Sequence, residues 1–188
     1  MQQPYGLDIW GDQNFIIRDG KAHINYKSSP ALLDIAGHIR DEGIRGPVIL
    51  RFPHLISKQI EALYGHFNRA IEENGYHGRF KAVYPLKVNQ YPEVVKAVVD
   101  AGKAYQYGLE AGSKAELILA MAYTPTGAPI TVNGFKDEEM ITMGFLAAQM
   151  GHNITLTIEG IGELESIIEV AERAAFRIPN IGIRIRLH

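Results

Sequence analysis

Lys87 closes the largely apolar run Phe80-Lys81-Ala82-Val83-Tyr84-Pro85-Leu86-Lys87 and stands just before a helix pattern. Desolvating an ammonium group is costly, and burial favours the neutral amine. A neutral, positioned amine attacks carbonyls, so one reading is a Schiff-base lysine. The other is a lysine whose stem packs while its amine reaches water. If the run is one strand, side-chain alternation puts Lys87 on a face with Lys81, Val83 and Asn89. It then points into the same space as Glu110, Asn133, Glu159 and Arg184, each on the polar face of another segment. Arg186 shares the parity of Arg184. Glu116 stands three residues after Ser113, the spacing of a capping box.

Other chemistries find less support. The 188 residues contain no cysteine, which removes disulfides, thiolate catalysis and thiolate metal sites. The seven histidines are scattered, with no His-Glu-x-x-His spacing, against a catalytic metal. Gly160-Ile161-Gly162 lacks the third glycine of a dinucleotide loop and reads as a turn. Ser57, Ser113 and Asp137 read as helix caps, and Met140 and Met143 as packing residues. A net charge of −2 with interspersed signs shows no nucleic-acid or membrane-surface footprint. No apolar run approaches the roughly 18 residues of a membrane span. The start carries no readable signal peptide, and a cytoplasmic protein is expected.

The elements that must position these residues follow from periodicity. Weak alternation around Asp19-Gly20 predicts a hairpin. Pro47–Phe52 reads as a strand, and Ser57 as the cap of a helix with apolar residues at Ile60, Leu63, Tyr64, Phe67 and Ile71, ending near Asn74-Gly75. After the Lys87 strand come a helix over 91–101, strand 104–110, helix 113–123, strand 129–133, helix 137–150, strand 153–159, helix 162–176 and strand 181–187. Alternating strands and helices imply parallel pairing through crossovers. An open doubly wound sheet buries both faces, whereas these strands each keep one polar or small face: Gln106, Gly108 and Glu110; Thr131 and Asn133; Thr155, Thr157 and Glu159; Gly182, Arg184 and Arg186. The opposite faces are apolar, Ile183 and Ile185 most clearly. The expected fold is therefore an α/β protein, a (β/α)8 TIM-type barrel whose lumen opens into a pocket at one rim. About six strands are readable where a whole barrel takes roughly 250 residues, so an incomplete, amino-terminal part of a barrel is expected. Residues 1–36 form a β-rich segment with a lead-in helix, and 37–188 the partial barrel.

Tyr84-Pro85-Leu86-Lys87-Val88-Asn89-Gln90 resembles the cofactor-lysine segment of the biosynthetic arginine decarboxylases, pyridoxal-phosphate enzymes with an alanine-racemase-like barrel. The resemblance extends to Tyr5–Ile9 with Trp10-Gly11, to Gly108-Leu109-Glu110-Ala111-Gly112-Ser113-Lys114-Ala115-Glu116, to Asn133-Gly134-Phe135-Lys136-Asp137, and to Ile183-Arg184-Ile185-Arg186-Leu187. Pro85 departs from the small residue of the wider class but matches this branch. The resemblance implies that Lys87 forms the Schiff base with pyridoxal 5'-phosphate, that Glu110 is the acid beside the cofactor, that Glu116 lines the pocket, and that Arg184 lies beside the ring. Arg186 is the alternative to Arg184. It further implies decarboxylation of L-arginine to agmatine as the first step of a polyamine route, an amino acid as the small-molecule substrate, a homo-oligomer, and a role for magnesium. The glycine-rich phosphate turn, the carboxylate for the ring nitrogen and the cross-subunit residues are expected downstream, so residues 1–188 alone are expected to bind the cofactor poorly. The competing readings are a decarboxylase or racemase acting on ornithine, lysine or diaminopimelate, a non-catalytic pyridoxal-phosphate protein, and a cofactor-free barrel using Lys87 as aldolases do.

Overall fold

The structure, a computed structural model, describes residues 4–173, 175–185 and 187. It divides into two compact units, Met1–Arg51 and Phe52–His188. In the first, a 3-10 turn leads into a short helix, α1 (Leu7–Trp10), then an antiparallel hairpin, β1 (Phe15–Arg18) and β2 (Lys21–Ile24), and a helix, α2 (Leu32–Asp41). Asp19 and Gly20 have φ of 50° and 73°. Two positive φ angles are what a two-residue turn of the I′ type requires, and Arg18 faces Lys21 across it. The strand expected over Pro47–Phe52 does not form. It belongs to neither sheet of the described residues, and Val48, Ile49 and Leu50 are exposed. An apolar run becomes a strand only where a neighbour takes its N–H and C=O groups.

The second unit begins with a long helix, α3 (His54–Glu73), and then alternates: β3 (Val83–Pro85), α4 (Pro92–Gly102), β4 (Gly108–Ala111), α5 (Lys114–Tyr123), β5 (Pro129–Val132), α6 (Glu138–Gln149), β6 (Asn153–Ile158), α7 (Ile161–Arg173) and β7 (Asn180–Ile183). Helix α3 starts before Ser57, which is therefore no cap; its hydroxyl donates instead to Glu61 Oε1 at 3.0 Å. The five strands are parallel and lie in the order β3-β4-β5-β6-β7. A doubly wound sheet reverses its strand order at a switch point; here every strand pairs with the next in sequence, which is the winding of a (β/α) barrel.

One face of this sheet carries Leu109, Ala111, Ile130, Val132, Ile154 and Leu156, all buried against Leu117, Ile141, Phe145, Ile167 and Val170 of the helices. The other carries Glu110, Thr131, Thr155 and Thr157, which stay partly accessible. Two positions need glycine for the strands and helices to approach. A Cβ on Gly108 would lie 1.8 Å from the Pro129 carbonyl oxygen, and one on Gly144 of α6 would lie 2.7 Å from Leu156 of β6. The strand ends differ from the expectation. Lys103–Tyr105 is a 3-10 turn and Gln106 adopts φ 54°, so Gln106 falls outside the β4 face pattern. On β7, Ile183 is 75 % exposed and Ile185 beyond it 76 %, because no helix among the described residues packs over them.

A second apolar cluster holds β3 in place. Tyr64 of α3 stacks on Tyr105 with ring centroids 4.5 Å apart and meets Phe80 edge-on at 5.0 Å. Its hydroxyl also accepts the Ala82 N–H at 3.3 Å. Packing and a backbone hydrogen bond thus fix the segment that delivers Lys87.

Candidate active site

The charged groups gather where strands end. In this winding the carboxyl ends of the strands form one rim, the usual place for a barrel's chemistry. Strand β3 stops at Pro85, whose missing N–H ends the ladder, and the chain curls into a 3-10 turn over Leu86–Val88. Lys87 is therefore on a turn, not on the strand as expected, and its side chain is 68 % exposed. Desolvation, the first argument for its reactivity, does not apply here. What the turn does provide is a carboxylate: Lys87 Nζ lies 3.5 Å from Glu110 Oε1, and Glu110 is only 16 % exposed.

The turn is pinned from both sides. Leu86 is fully buried. Tyr84 donates its hydroxyl to the Asn89 carbonyl at 3.2 Å, and burial raises its phenol, keeping it a donor near neutrality. The Asn89 side-chain oxygen accepts the Tyr91 N–H at 3.1 Å, and Gln90 Nε2 donates to Glu116 Oε1 at 2.7 Å. Lys87, Asn89, Gln90 and Tyr91 line an open cleft of about 620 Å³. A larger concavity of the first unit, about 710 Å³, is lined by no lysine, arginine or histidine and offers no comparable chemistry.

Glu116 is buried and works as more than a cap. Ser113 Oγ accepts the Glu116 N–H at 3.3 Å, while Glu116 Oε2 accepts the Gly112 N–H at 2.6 Å. With its other oxygen on Gln90, the carboxylate ties the loop after β4 to the turn carrying Lys87. Arg184 follows β7 directly. Its N–H donates to the Ile158 carbonyl at 3.0 Å, and its Nη1 lies 3.1 and 3.2 Å from the two oxygens of Glu159. Glu159 also accepts the Gly134 N–H at 2.6 Å; that bond above all, then Arg184, holds its carboxyl below the usual range. The structure thus pairs Lys87 with Glu110 and Arg184 with Glu159, and sets Glu116 between the Gly112 N–H and the Gln90 side chain. Arg186 lies outside the described residues.

Two charged residues of the rim carry no distinguishing mark in the sequence. Lys136 has no exposed side-chain surface, and its Nζ lies 3.0 Å from Glu163 Oε2. Nothing in the spacing of Asn133–Asp137 reveals that burial. Glu163, in the first turn of α7, follows the helix-start preference for acids and so looks like an ordinary surface residue.

The chain is similar to known proteins in sequence and in fold. The pyridoxal binding domain of the pyridoxal-dependent decarboxylases matches residues 58–188. The biosynthetic arginine decarboxylase of Chromobacterium violaceum is 35% identical over 97% of this chain and 30% of its own length. That of Gloeobacter violaceus is 40% identical over 97% of this chain and 29% of its length. Among solved structures, the biosynthetic arginine decarboxylase of Campylobacter jejuni superposes with a TM-score of 0.94 at 64% identity, covering 99% of this chain and 32% of that one. A diaminopimelate decarboxylase from M. jannaschi gives a TM-score of 0.68 at 26% identity, covering 94% of this chain and 37% of that one. The chain thus spans about 30% of the length of the curated relatives it matches. The partial barrel is of the alanine-racemase-like type of these decarboxylases.

The residues present fit pyridoxal phosphate: an accessible primary amine for its aldehyde, with a carboxylate 3.5 Å from that amine. Among the described residues no group of three or more histidine, aspartate or glutamate side chains gathers as metal ligands. No helix among the described residues is long and apolar enough to cross a membrane.

Proposed function

We propose that this chain, which belongs to the pyridoxal-dependent decarboxylases and carries their pyridoxal binding domain, supplies the lysine-bearing rim of an enzyme that converts L-arginine to agmatine and carbon dioxide. The observation that carries the reading is the Lys87–Glu110 pair at the carboxyl ends of adjacent strands. Lys87 Nζ is the attachment atom. Glu110, beside that nitrogen, orients it; Glu116, through Gln90, keeps the turn from drifting. Arg184, aimed by Glu159, holds a fixed positive charge at the same rim. When bound, pyridoxal phosphate supplies an electron sink for the pair left behind as the carboxylate departs. Arginine as substrate is supported by relatives and a solved structure with that activity in their names, the latter at 64% identity. A first step of polyamine synthesis, a cytoplasmic setting and a homo-oligomeric enzyme belong to the same proposal and rest on the same likeness.

The test is carbon dioxide release by the full-length, cofactor-loaded protein from carboxyl-labelled arginine, ornithine, lysine and diaminopimelate. Release from arginine at least about a hundredfold above the others is expected, as a site built for a polar side chain rejects analogues lacking it. Preferential release from another of the four overturns the substrate, and release undiminished in Lys87→Ala overturns the role of that residue.

A further inference from the structure

A lysine without exposed surface, paired with a nearly buried glutamate, is poor value as a stabiliser. Taking both charges from water costs about as much as their attraction returns, and apolar residues of similar volume often serve as well. What an apolar pair cannot do is hold backbone. Glu163 Oε1 accepts the Lys136 N–H at 2.9 Å, and its Oε2 accepts the Glu159 N–H at 2.9 Å. Lys136 Nζ, besides meeting Glu163, donates to the Gly134 carbonyl at 2.6 Å. The pair's bonds to other groups end on the backbone of the loop after β5 or of the loop after β6. Those two loops then meet through a catalytic-rim group: the Gly134 N–H, opposite the carbonyl that Lys136 holds, is the donor to Glu159, which carries Arg184. Gly134 itself has φ +85°, a conformation glycine reaches without strain.

We propose that Lys136 and Glu163 are positioning residues for the cofactor rim: the buried pair fixes the backbone of Gly134 and Glu159, and so the aim of the Glu159–Arg184 pair. The inference rests on the proposed pyridoxal-phosphate site. A helix cap alone would need Glu163 and its bond to Glu159 but no buried ammonium, whereas Lys136 reaches back to Gly134 within its own loop and meets Glu163, which holds Glu159 of the other loop. Burial pushes the Glu163 carboxyl upward, but the Glu159 and Lys136 N–H groups and the Lys136 ammonium outweigh it, so the carboxylate keeps its charge.

The test uses full-length protein with Lys136→Met and Glu163→Asp, beside Phe145→Leu, a core change about two turns along α6 from its rim end. Two quantities are measured at a temperature where all variants are folded: amide exchange of Gly134 and Glu159 without cofactor, and the dissociation constant of pyridoxal phosphate by spectroscopic titration. Both Lys136→Met and Glu163→Asp are expected to speed exchange at the two amides and to weaken cofactor binding on the order of tenfold or more, the scale of a slightly misplaced site. Phe145→Leu is expected to lower the melting temperature without either effect. Glu163→Asp keeps the charge, so it reports even if Lys136→Met fails to fold. Exchange and affinity equal to those of Phe145→Leu at matched stability overturn the inference. Failure of the unmutated protein to bind pyridoxal phosphate overturns the proposed function instead, and amide exchange still decides whether the buried pair fixes the two loops.

Discussion

Glu159 and Glu163 both hold their carboxyls below the ordinary range, the first chiefly through the Gly134 N–H, the second through hydrogen bonds that overcome its burial. A group depressed in the folded state lends stability that is whole above its unfolded value, about 4.3 for glutamate, and is lost as pH falls through the folded value. The melting temperature is therefore expected to hold between about pH 7 and 5 and to fall below about pH 4. The fall should be shallower in Glu163→Gln; equal slopes would show that other groups govern acid unfolding. Glu116 gives a second residue-scale outcome. Glu116→Ala strands the Gly112 N–H and frees Gln90, and is expected to cost about 1–3 kcal/mol in urea unfolding, against a loss near zero if the carboxylate serves only the cofactor. Residue chemistry was partly readable in the sequence. Glu110 and Glu116 stand at a strand end and a helix start, where position marks them, while Arg184 is marked by the polar face it shares with Gly182 and Arg186. Lys136 is not, because a lysine before a helix looks the same in sequence whether its amine meets water or a buried carboxylate.

Elements were legible wherever periodicity was strong and covered on one side. The α3 stripe and the alternation of β5 and β6 follow from residue types, and on those two strands the polar and apolar faces come out as the pattern implies. Ends were less legible, since a ladder's last pair depends on its neighbour. Pro85 stops β3 early, the positive φ of Gln106 delays β4, and Pro47–Phe52 has the composition of a strand without a partner. Two element-scale predictions follow from packing. Gly108→Ala drives a Cβ into the Pro129 carbonyl and is expected to destabilise by about 1–3 kcal/mol or more, with β4 and β5 shifting apart; a neutral effect would mean that the two strands are not packed this closely. Phe145→Ala, in the core between sheet and helices, is expected to cost about 3–5 kcal/mol, and a loss below about 1 kcal/mol would place Phe145 outside the core.

At the scale of the molecule, winding decides chemistry. Because each strand of the second unit pairs with its successor, residues far apart in sequence arrive at one rim: Lys87 beside Glu110, Glu159 beside Arg184, and the buried Lys136–Glu163 pair beneath the second. The barrel winding could be inferred from one-sided strands. The turn carrying Lys87, and the exposure of its amine, could not, since both arise from Pro85 ending a ladder. The central claim is that this amine carries the cofactor. Borohydride reduction of the full-length, pyridoxal-phosphate-loaded protein, followed by peptide mapping, tests it most directly. The label is expected on Lys87 alone and is expected to vanish in Lys87→Ala; label on Lys81, Lys136 or any other lysine, with Lys87 unmodified, would contradict the account.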